Sequence, residues 1–480
     1  MRLISFVGGT VRQIDTIRQG FLSFASMAER SQWIWKVDEP GLDVEAILGS
    51  PAKVIKKSAH KIVTRHEWGG SAFYVKRYLH YASLARPVKF LFKKTQAAKE
   101  WLAAEALKKV SAPAVQHVAL GERTTWWGAL ESVLITREFP GVPINQWTRP
   151  DWTSVRQFIG SLHHKGVFQS DLHPENILVN PETGDMRLVD LHGVRVMNAV
   201  PASIRKSNFA YLGIFVPIPL ETDEKTLRVE LRRNAHSSRS ARALRQNRDF
   251  GKVEAKGICW QVRHEHANGI PAAWWREPDL ILQEQGQLLK NGRSATVGGC
   301  DQWILKRYNF KKPLNLFKDL VRRSKAASCF QKAYHLELVG IPTARCIAAG
   351  ERRKWGALLN AYLLMEKIPG ENLGVFISQA ADPKPVLKKA VALIAQLHEE
   401  GFSHRDLKET NLLVTPKEEV VLIDLDGVAY QKVISNEKAA SDLDRFCRGV
   451  SGRVLLKPET KKSLLRVYCR TRKIRTVPRR

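Results

Sequence analysis

The spacing of apolar residues predicts short strands alternating with amphipathic helices. Between residues 386 and 398, Leu387, Val391, Ile394 and Leu397 recur at helical spacing, and Gly401 supplies the stop. Val155, Phe158, Ile159 and Leu162 repeat the pattern ahead of Gly166. Upstream, residues 287–290, a turn at Asn291-Gly292, then 295–297 and 303–308 read as a strand meander. A helix is expected next at 326–339, closed by Gly340 with Pro342 just beyond, and a matching one at 97–110. Apolar strands follow at 132–135 and 361–365, each leading into Pro-Gly. Behind each long helix come a polar loop and a short apolar hairpin, 177–179 with 188–189 and 412–414 with 420–423. Strands, one helix, more strands, then helices around a loop predict an α+β, two-lobed arrangement.

This order occurs twice because the chain repeats itself. Tyr74-Val75-Lys76-Arg77-Tyr78 corresponds to Ile304-Leu305-Lys306-Arg307-Tyr308, with the lysines 230 positions apart. Pro113 matches Pro342, Gly121-Glu122-Arg123 matches Gly350-Glu351-Arg352, and Pro140-Gly141 matches Pro369-Gly370, all at an offset of 229. Asp171-Leu172 and Asn176 match Asp406-Leu407 and Asn411 at 235, and Asp190-Leu191 and Gly193 match Asp424-Leu425 and Gly427 at 234. The small drift is what short loop insertions produce. Two tandem bilobal domains are therefore expected at 31–245 and 259–480. The linker is expected at 246–258, inside a polar, Arg- and Ser-rich stretch from 234 to 256. In the leading segment 1–30, Ile4, Val7, Val11, Ile14, Ile17 and Phe21 lie at helical spacing among Arg2, Arg12 and Arg18. This is either a helix lying on a membrane or one packed on the first domain.

Composition changes the picture in one respect, which is charge. With 44% hydrophobic residues, 18 Phe and 13 Trp, the 480-residue chain can bury a real core and is not a disordered tail protein. Its 77 Lys and Arg against 47 Asp and Glu leave a formal charge of +30. That calls for a polyanionic partner: nucleic acid, an anionic membrane surface or a phosphorylated glycolipid. Lys89, Lys93, Lys94 and Lys99 cluster in one copy, and Lys311, Lys312, Lys318, Arg322, Arg323 and Lys325 at the equivalent place in the other. The tail from Lys461 to Arg480 has nine basic residues and no acid. No nucleic-acid-binding motif or aromatic-studded basic sheet accompanies them, so no specific nucleic acid is expected. All six cysteines lie in the second half without a Cys-x-x-Cys pair, which argues against zinc and disulfides and fits a reducing cytosol. No segment approaches the roughly 18–20 apolar residues of a membrane span, and no signal peptide is evident at the N-terminus. A cytoplasmic location is expected.

The candidate chemistry sits in the polar loops. The second copy reads His404-Arg405-Asp406-Leu407-Lys408-Glu409-Thr410-Asn411, followed by Asp424-Leu425-Asp426-Gly427; the first has Asp171, Asn176 and Asp190 in the same slots, with Gln169-Ser170 replacing His-Arg. This resembles the catalytic and metal-binding loops of the protein-kinase superfamily. Phosphoryl transfer needs one carboxylate to orient and deprotonate the acceptor hydroxyl, and separate oxygen ligands to hold Mg²⁺ against nucleotide phosphates. By the resemblance, Asp171 and Asp406 are catalytic bases, and Asn176, Asp190, Asn411 and Asp424 bind metal. Lys76 and Lys306 contact the phosphates of ATP. Glu100, thirteen residues before Pro113, is the helix carboxylate that pairs with the first lysine; Cys329 stands there in the second copy, so Lys306 must be held otherwise or that domain is weakened.

Neither copy has a full Gly-x-Gly-x-x-Gly loop, which argues against an ordinary protein kinase. The small copies, Lys-Arg-Tyr after the strand, Gly-Ile-Pro-Thr at 340–343 followed by Ala-Gly-Glu-Arg, and Asp-Leu-x-x-x-Asn-x-Leu resemble the bacterial lipopolysaccharide kinase family of Kdo kinase, WaaP and InaA types. The resemblance implies ATP- and Mg²⁺-dependent transfer to a heptose or Kdo hydroxyl of the lipopolysaccharide inner core. It also implies work on lipid A-core glycolipid, peripherally, at the cytoplasmic face of the inner membrane. The alternatives are a membrane-associated pseudokinase or scaffold with one or both copies inactive, and a kinase for a protein or small-molecule acceptor.

Overall fold

A computed structural model describes residues 33–80, 90, 93–125, 128–285, 287–300, 302–309 and 323–472. The segment 1–30, Lys89, Lys311, Lys312, Lys318, Arg322 and residues 473–480 lie outside them. The chain divides into two compact units, residues 1–231 and 232–480.

In the first unit, six antiparallel strands run in the spatial order Trp33–Val37, His117–Thr125, Gly128–Arg137, Ser71–Leu79, Lys61–Trp68, Ala52–Lys57. Successive side chains of the central strand Ser71–Leu79 point to opposite faces. Phe73 and Val75 pack with Val44, Ile47, Val133 and Ile135 on one side. Tyr78 packs with Ala97, Ala98, Trp101, Leu120 and Leu134 on the other, under the helix Gln96–Lys109. Lys76 shares that second face by the same period of two, so a charged residue enters a largely apolar layer. The helix Trp152–His164 places Val155, Ile159 and Leu162 into a separate core with the hairpin strands Ile177–Val179 and Met186–Leu188.

The second unit repeats the plan around a seven-stranded antiparallel sheet, ordered Phe250–Ala255, Ile258–Arg263, Cys346–Lys354, Ala357–Glu366, Trp303–Tyr308, Ala295–Cys300, Gln287–Asn291. One face is covered by residues 270–282 through Ile270, Trp274, Trp275, Ile281 and Leu282, an addition the apolar periodicity did not announce. The other face carries the helix Lys325–Leu338, and its core continues into the helix Lys384–Glu399 through Leu387, Val391, Ile394 and Leu397.

The repeated Gly-Glu-Arg acquires a physical reason. Gly121 lies opposite Trp35 and Gly350 opposite Trp260. A Cβ on either would come within 2.4 Å and 2.6 Å of the indole, so only glycine lets the ring lie flat on the neighbouring strand. The glutamates reach the start of the next helix: Thr95 donates to Glu122 at 2.5 Å, and the Ser324 amide donates to Glu351 at 3.3 Å. Thr95 and Ser324 are the N-caps of those helices, accepting from Ala98 and Ala327.

One expectation is corrected. Residues 246–258 are not a linker, because Phe250–Ala255 pairs along its full length with Ile258–Arg263 as the outermost strand of the sheet. The first part of the polar stretch, residues 234–241, belongs to a 20-residue helix, Thr222–Ala241. Its arginines have structural partners: Arg232 pairs with Glu400 at 2.6 Å, and Arg239 donates to the Tyr334 hydroxyl at 3.0 Å. The composition that suggested a flexible connector is that of a docked polar helix. The first part of the basic tail is also a helix, Pro458–Thr471, anchored by buried Leu464 and Tyr468. Among the described residues no helix is long and apolar enough to cross a membrane.

Two buried histidines make stability depend on pH. Burial, with Lys76 nearby, pushes His117 down to about 4, and burial with His236 pushes His335 down to about 4. Each is neutral when folded but binds a proton near pH 6.5 when unfolded, so stability is present above that value and is lost as pH falls toward 4. The slope is at most about 1.4 kcal/mol per pH unit for each histidine. Thermal unfolding midpoints should therefore fall steadily from pH 7 to pH 5. His335→Phe, which keeps a ring beside Phe402 and Tyr430, should flatten the slope.

Candidate active site

In the first unit the strand lysine meets its expected partner. Lys76 Nζ lies 2.8 Å from Glu100 Oε2, with the two side chains 10% and 2% exposed. The Tyr78 hydroxyl donates to the other Glu100 oxygen. Strand alternation puts Lys76 and Tyr78 on the face that the helix covers, and Glu100 lies one turn into that helix. Asp190 joins them, 3.6 Å from Lys76 and 3.7 Å from Lys61. Burial and the Lys76 charge hold the Lys61 ammonium below the usual lysine value. Burial acts against the Asp190 carboxylate, but the two lysines outweigh it and keep its pKa below the ordinary aspartate range. Asp190 also has a left-handed backbone, φ 56°. A cleft of about 410 Å³ beside this group is lined by His60, Lys61, Tyr78, Glu100, Asp190 and His192.

The loop carrying Asp171 is fixed by side-chain to backbone bonds. Asn176 Nδ2 donates to the Asp171 carbonyl at 2.9 Å, and the Asn176 carbonyl accepts from the Val189 amide at 3.0 Å, beside Asp190. Gln169 Nε2 donates to the Asp190 carbonyl at 3.1 Å, while Asn208 donates to the Gln169 carbonyl at 3.1 Å. Asp171 itself is exposed and accepts from the Tyr211 hydroxyl at 3.2 Å.

The second unit has the same frame with different side chains. His404 Nε2 donates to the Asp424 carbonyl at 2.7 Å, as Gln169 does to Asp190, and its Nδ1 accepts from the Asp406 amide at 3.2 Å. The His404 amide donates to Asp442 at 2.8 Å, and Asp442 faces His398 at 3.3 Å. Asn411 Nδ2 donates to the Asp406 carbonyl at 2.6 Å. Asp406 is exposed and pairs with Lys408 at 3.1 Å; His173 has that position in the first unit.

Lys306 is held without a helix carboxylate. It lies 3.1 Å from both Asp424 and Asp426. Tyr308 donates to Asp426 at 2.8 Å, and the Cys329 thiol donates to the same oxygen at 3.2 Å. Burial works to lower Lys306, but Asp424 and Asp426 hold it above the ordinary lysine value. Burial pushes the Cys329 thiol up to about 12, so it is a neutral donor.

All nine residues singled out from the sequence thus fall into two connected groups: Lys76, Glu100, Asp171, Asn176 and Asp190 in one unit, and Lys306, Asp406, Asn411 and Asp424 in the other. Missed were Lys61, the two tyrosines and Asp426. The tyrosines had a signal, since each follows its lysine by two and therefore shares its face. Asp426 had one as well, being a second acid in Asp-Leu-Asp-Gly where the first copy has His192.

Mg²⁺ takes oxygen ligands and is commonly bound through one or two carboxylates together with substrate phosphates. Asn176 and Asn411 spend their amide nitrogens on the loop, which leaves side-chain oxygens as donors beside Asp190 and Asp424. That donor set fits. Among the described residues no group of three or more His, Cys, Asp or Glu forms a ready-made metal cage.

The chain belongs to the lipopolysaccharide kinase (Kdo/WaaP) family, whose sequence model matches residues 49–222 and 272–468. It is 29% identical over 134 residues to a 3-deoxy-D-manno-octulosonic acid kinase of Vibrio parahaemolyticus serotype O3:K6 (strain RIMD 2210633), a match covering 28% of this chain and 55% of the relative. The chain therefore spans about half the length of that relative. Solved structures that resemble it include WaaP in complex with acyl carrier protein, at 16% identity and a TM-score of 0.31, covering 41% of this chain and 85% of that one. The bifunctional kinase-methyltransferase WbdD matches at 16% identity and a TM-score of 0.27, covering 47% and 50%.

The Lys76–Glu100 pair should be expensive to break on one side, because the remaining charge stays buried. Lys76→Met should lower the stability of the first unit by about 3–5 kcal/mol. Lys76→Met/Glu100→Gln, which leaves Tyr78 an acceptor and no unpaired charge, should recover most of that loss. Urea unfolding followed by hydrogen exchange in the strand Ser71–Leu79 measures both.

Proposed function

We propose that the protein is an ATP-dependent kinase built from two tandem kinase-like domains, and that it phosphorylates a heptose or Kdo hydroxyl of the lipopolysaccharide inner core. The observation that carries the reading is the recurrence, in each unit, of a strand lysine, buried in the first and part-buried in the second, tied to a hairpin aspartate. In each case that hairpin is hydrogen-bonded to a loop presenting an exposed aspartate. In each domain the lysine neutralises phosphate oxygens, and Asn176 with Asp190, or Asn411 with Asp424, holds Mg²⁺, which supplies charge neutralisation when bound. Asp171 or Asp406 accepts the proton as the sugar oxygen bonds to the γ-phosphorus and the bond to the ADP oxygen breaks. Gln169 in place of histidine is compatible with this, because it donates to the carbonyl of the hairpin aspartate Asp190 as His404 does to that of Asp424. Family membership supports a sugar acceptor.

Asp171→Asn and Asp406→Asn, made singly and together, should lower ATP-dependent phosphorylation of purified core glycolipid, the double variant by about 10²-fold or more. Double-variant activity equal to wild type would rule out this chemistry. Loss from one single variant alone would make the other unit structural or regulatory, and an unchanged phosphate count on core oligosaccharide from a deletion strain would point to another acceptor.

We further infer that basic surfaces hold the enzyme peripherally on the anionic inner face of the inner membrane. Lys93, Lys94 and Lys99 are exposed in the first unit, and Arg323, Lys325, Lys461, Lys462, Arg466 and Arg470 in the second. The last four lie on the helix whose Leu464 and Tyr468 point inward. Each basic residue at an anionic surface contributes on the order of 1 kcal/mol. Sedimentation with vesicles containing acidic phospholipid should show binding that weakens with salt, and Lys461→Gln/Lys462→Gln/Arg466→Gln/Arg470→Gln should weaken it by at least tenfold.

A further inference from the structure

The two units hold the same lysine with a carboxylate taken from different elements. In the first, Lys76 and Tyr78 converge on Glu100 of the helix Gln96–Lys109, and the hairpin position two residues after Asp190 is His192. In the second, Lys306 and Tyr308 converge on Asp426, two residues after Asp424, and the helix position is Cys329. The two positions have exchanged their chemistry as a pair, with acid on the helix and histidine on the hairpin in one unit, and a small thiol on the helix with acid on the hairpin in the other. Asp426 is satisfied on both oxygens, one taking Lys306 at 3.1 Å, the other Tyr308 at 2.8 Å and the Cys329 thiol at 3.2 Å.

We propose that Asp426 is the positioning carboxylate of the second unit, orienting Lys306 as Glu100 orients Lys76. The phosphate-binding part of this inference rests on the kinase reading above. The thiol at 329 follows from the exchange: a second carboxylate there would face Asp426 in a buried site where like charges cannot both ionise cheaply. A consequence separates the units. In the first, the lysine is aligned through the helix, whereas in the second the positioning acid and Asp424 share one short loop and Lys306 bridges them. Assembly of the second site therefore depends on residues 424–427 rather than on a helix-borne ion pair.

The test uses the full-length protein with Asp171→Asn, so that turnover reports on the second unit, and compares Asp426→Asn with Cys329→Glu/Asp426→His, which installs the first unit's own pair. Asp426→Asn keeps the side chain's shape and its acceptor for Tyr308 while removing the charge. Amide hydrogen exchange of residues 424–427 should accelerate about tenfold in Asp426→Asn, because the loop loses its anchor to Lys306. KM for ATP should rise about tenfold with a smaller change in kcat, and the exchanged pair should return both quantities toward their starting values. Unchanged loop exchange in a folded Asp426→Asn protein overturns the proposal. Failure of the exchanged pair to restore KM and loop exchange, with circular dichroism and thermal midpoint intact, also overturns it. If loop exchange follows the expectation while ATP neither binds nor turns over in the second unit, the positioning role of Asp426 stands and the kinase reading of that unit falls.

Discussion

An ammonium group placed in the apolar layer between a sheet and a helix is tolerated only beside carboxylates, and much of each unit's architecture follows from that constraint. The lysine enters the layer because strand alternation leaves it no other face. A tyrosine two residues on enters with it and needs an acceptor of its own, since a buried hydroxyl without one is costly. A single carboxylate answers both demands in each unit. The helix packed above and the hairpin beyond are the two elements that reach this spot, and each has been used once.

The loops around the exposed aspartates follow a similar rule, in which the bond is kept and the donor changes. Gln169 and His404 both donate to the carbonyl of the hairpin aspartate, and Asn176 and Asn411 both donate to a loop carbonyl. The next layer outward differs more. Asp442 accepts from the His404 amide and is braced by His398, itself bonded to Tyr468 at 2.6 Å. In the first unit Asn208 stands between His163 and the Gln169 carbonyl. An amide and a carboxylate thus support equivalent turns from equivalent helices, and the carboxylate version is joined to the C-terminal helix through Tyr468.

The sequence made the strand-helix-strand order legible because its signals were local: helical spacing at 155–162 and 387–397, and stops at Gly166, Gly340 and Gly401. Self-comparison added the register of the loops. It was silent where identity depended on contacts between distant segments. The second acid of Asp-Leu-Asp-Gly marks Asp426 as a difference between the copies, but its meaning comes from Cys329, 97 residues away, and from Tyr308. The misjudged linker failed for a related reason. In the polar stretch 234–256, Arg239 finds a distant partner in the Tyr334 hydroxyl, and Phe250–Ala255 is claimed by the sheet through Ile258–Arg263.

The exchange of carboxylates also changes the charge balance of the two sites. In the first, Lys61 and Lys76 face Glu100 and Asp190, two cations against two anions. In the second, among the described residues, Lys306 is the cation paired with Asp424 and Asp426, and the residue opposite Tyr308 is Ala295 where Lys61 pairs opposite Tyr78. Among these described groups the charges balance in the first unit, whereas the acids outnumber the cation in the second. Coulombic attraction between partly buried groups therefore favours a divalent cation more strongly at the second set. Lys61 of the first unit occupies electrostatic ground beside Asp190 that a cation would otherwise fill. The contacts that fix the backbone are thus alike in the two units while the charge at the centre differs, so under the proposed kinase reading the two sites should not be equivalent in how they take up metal and nucleotide.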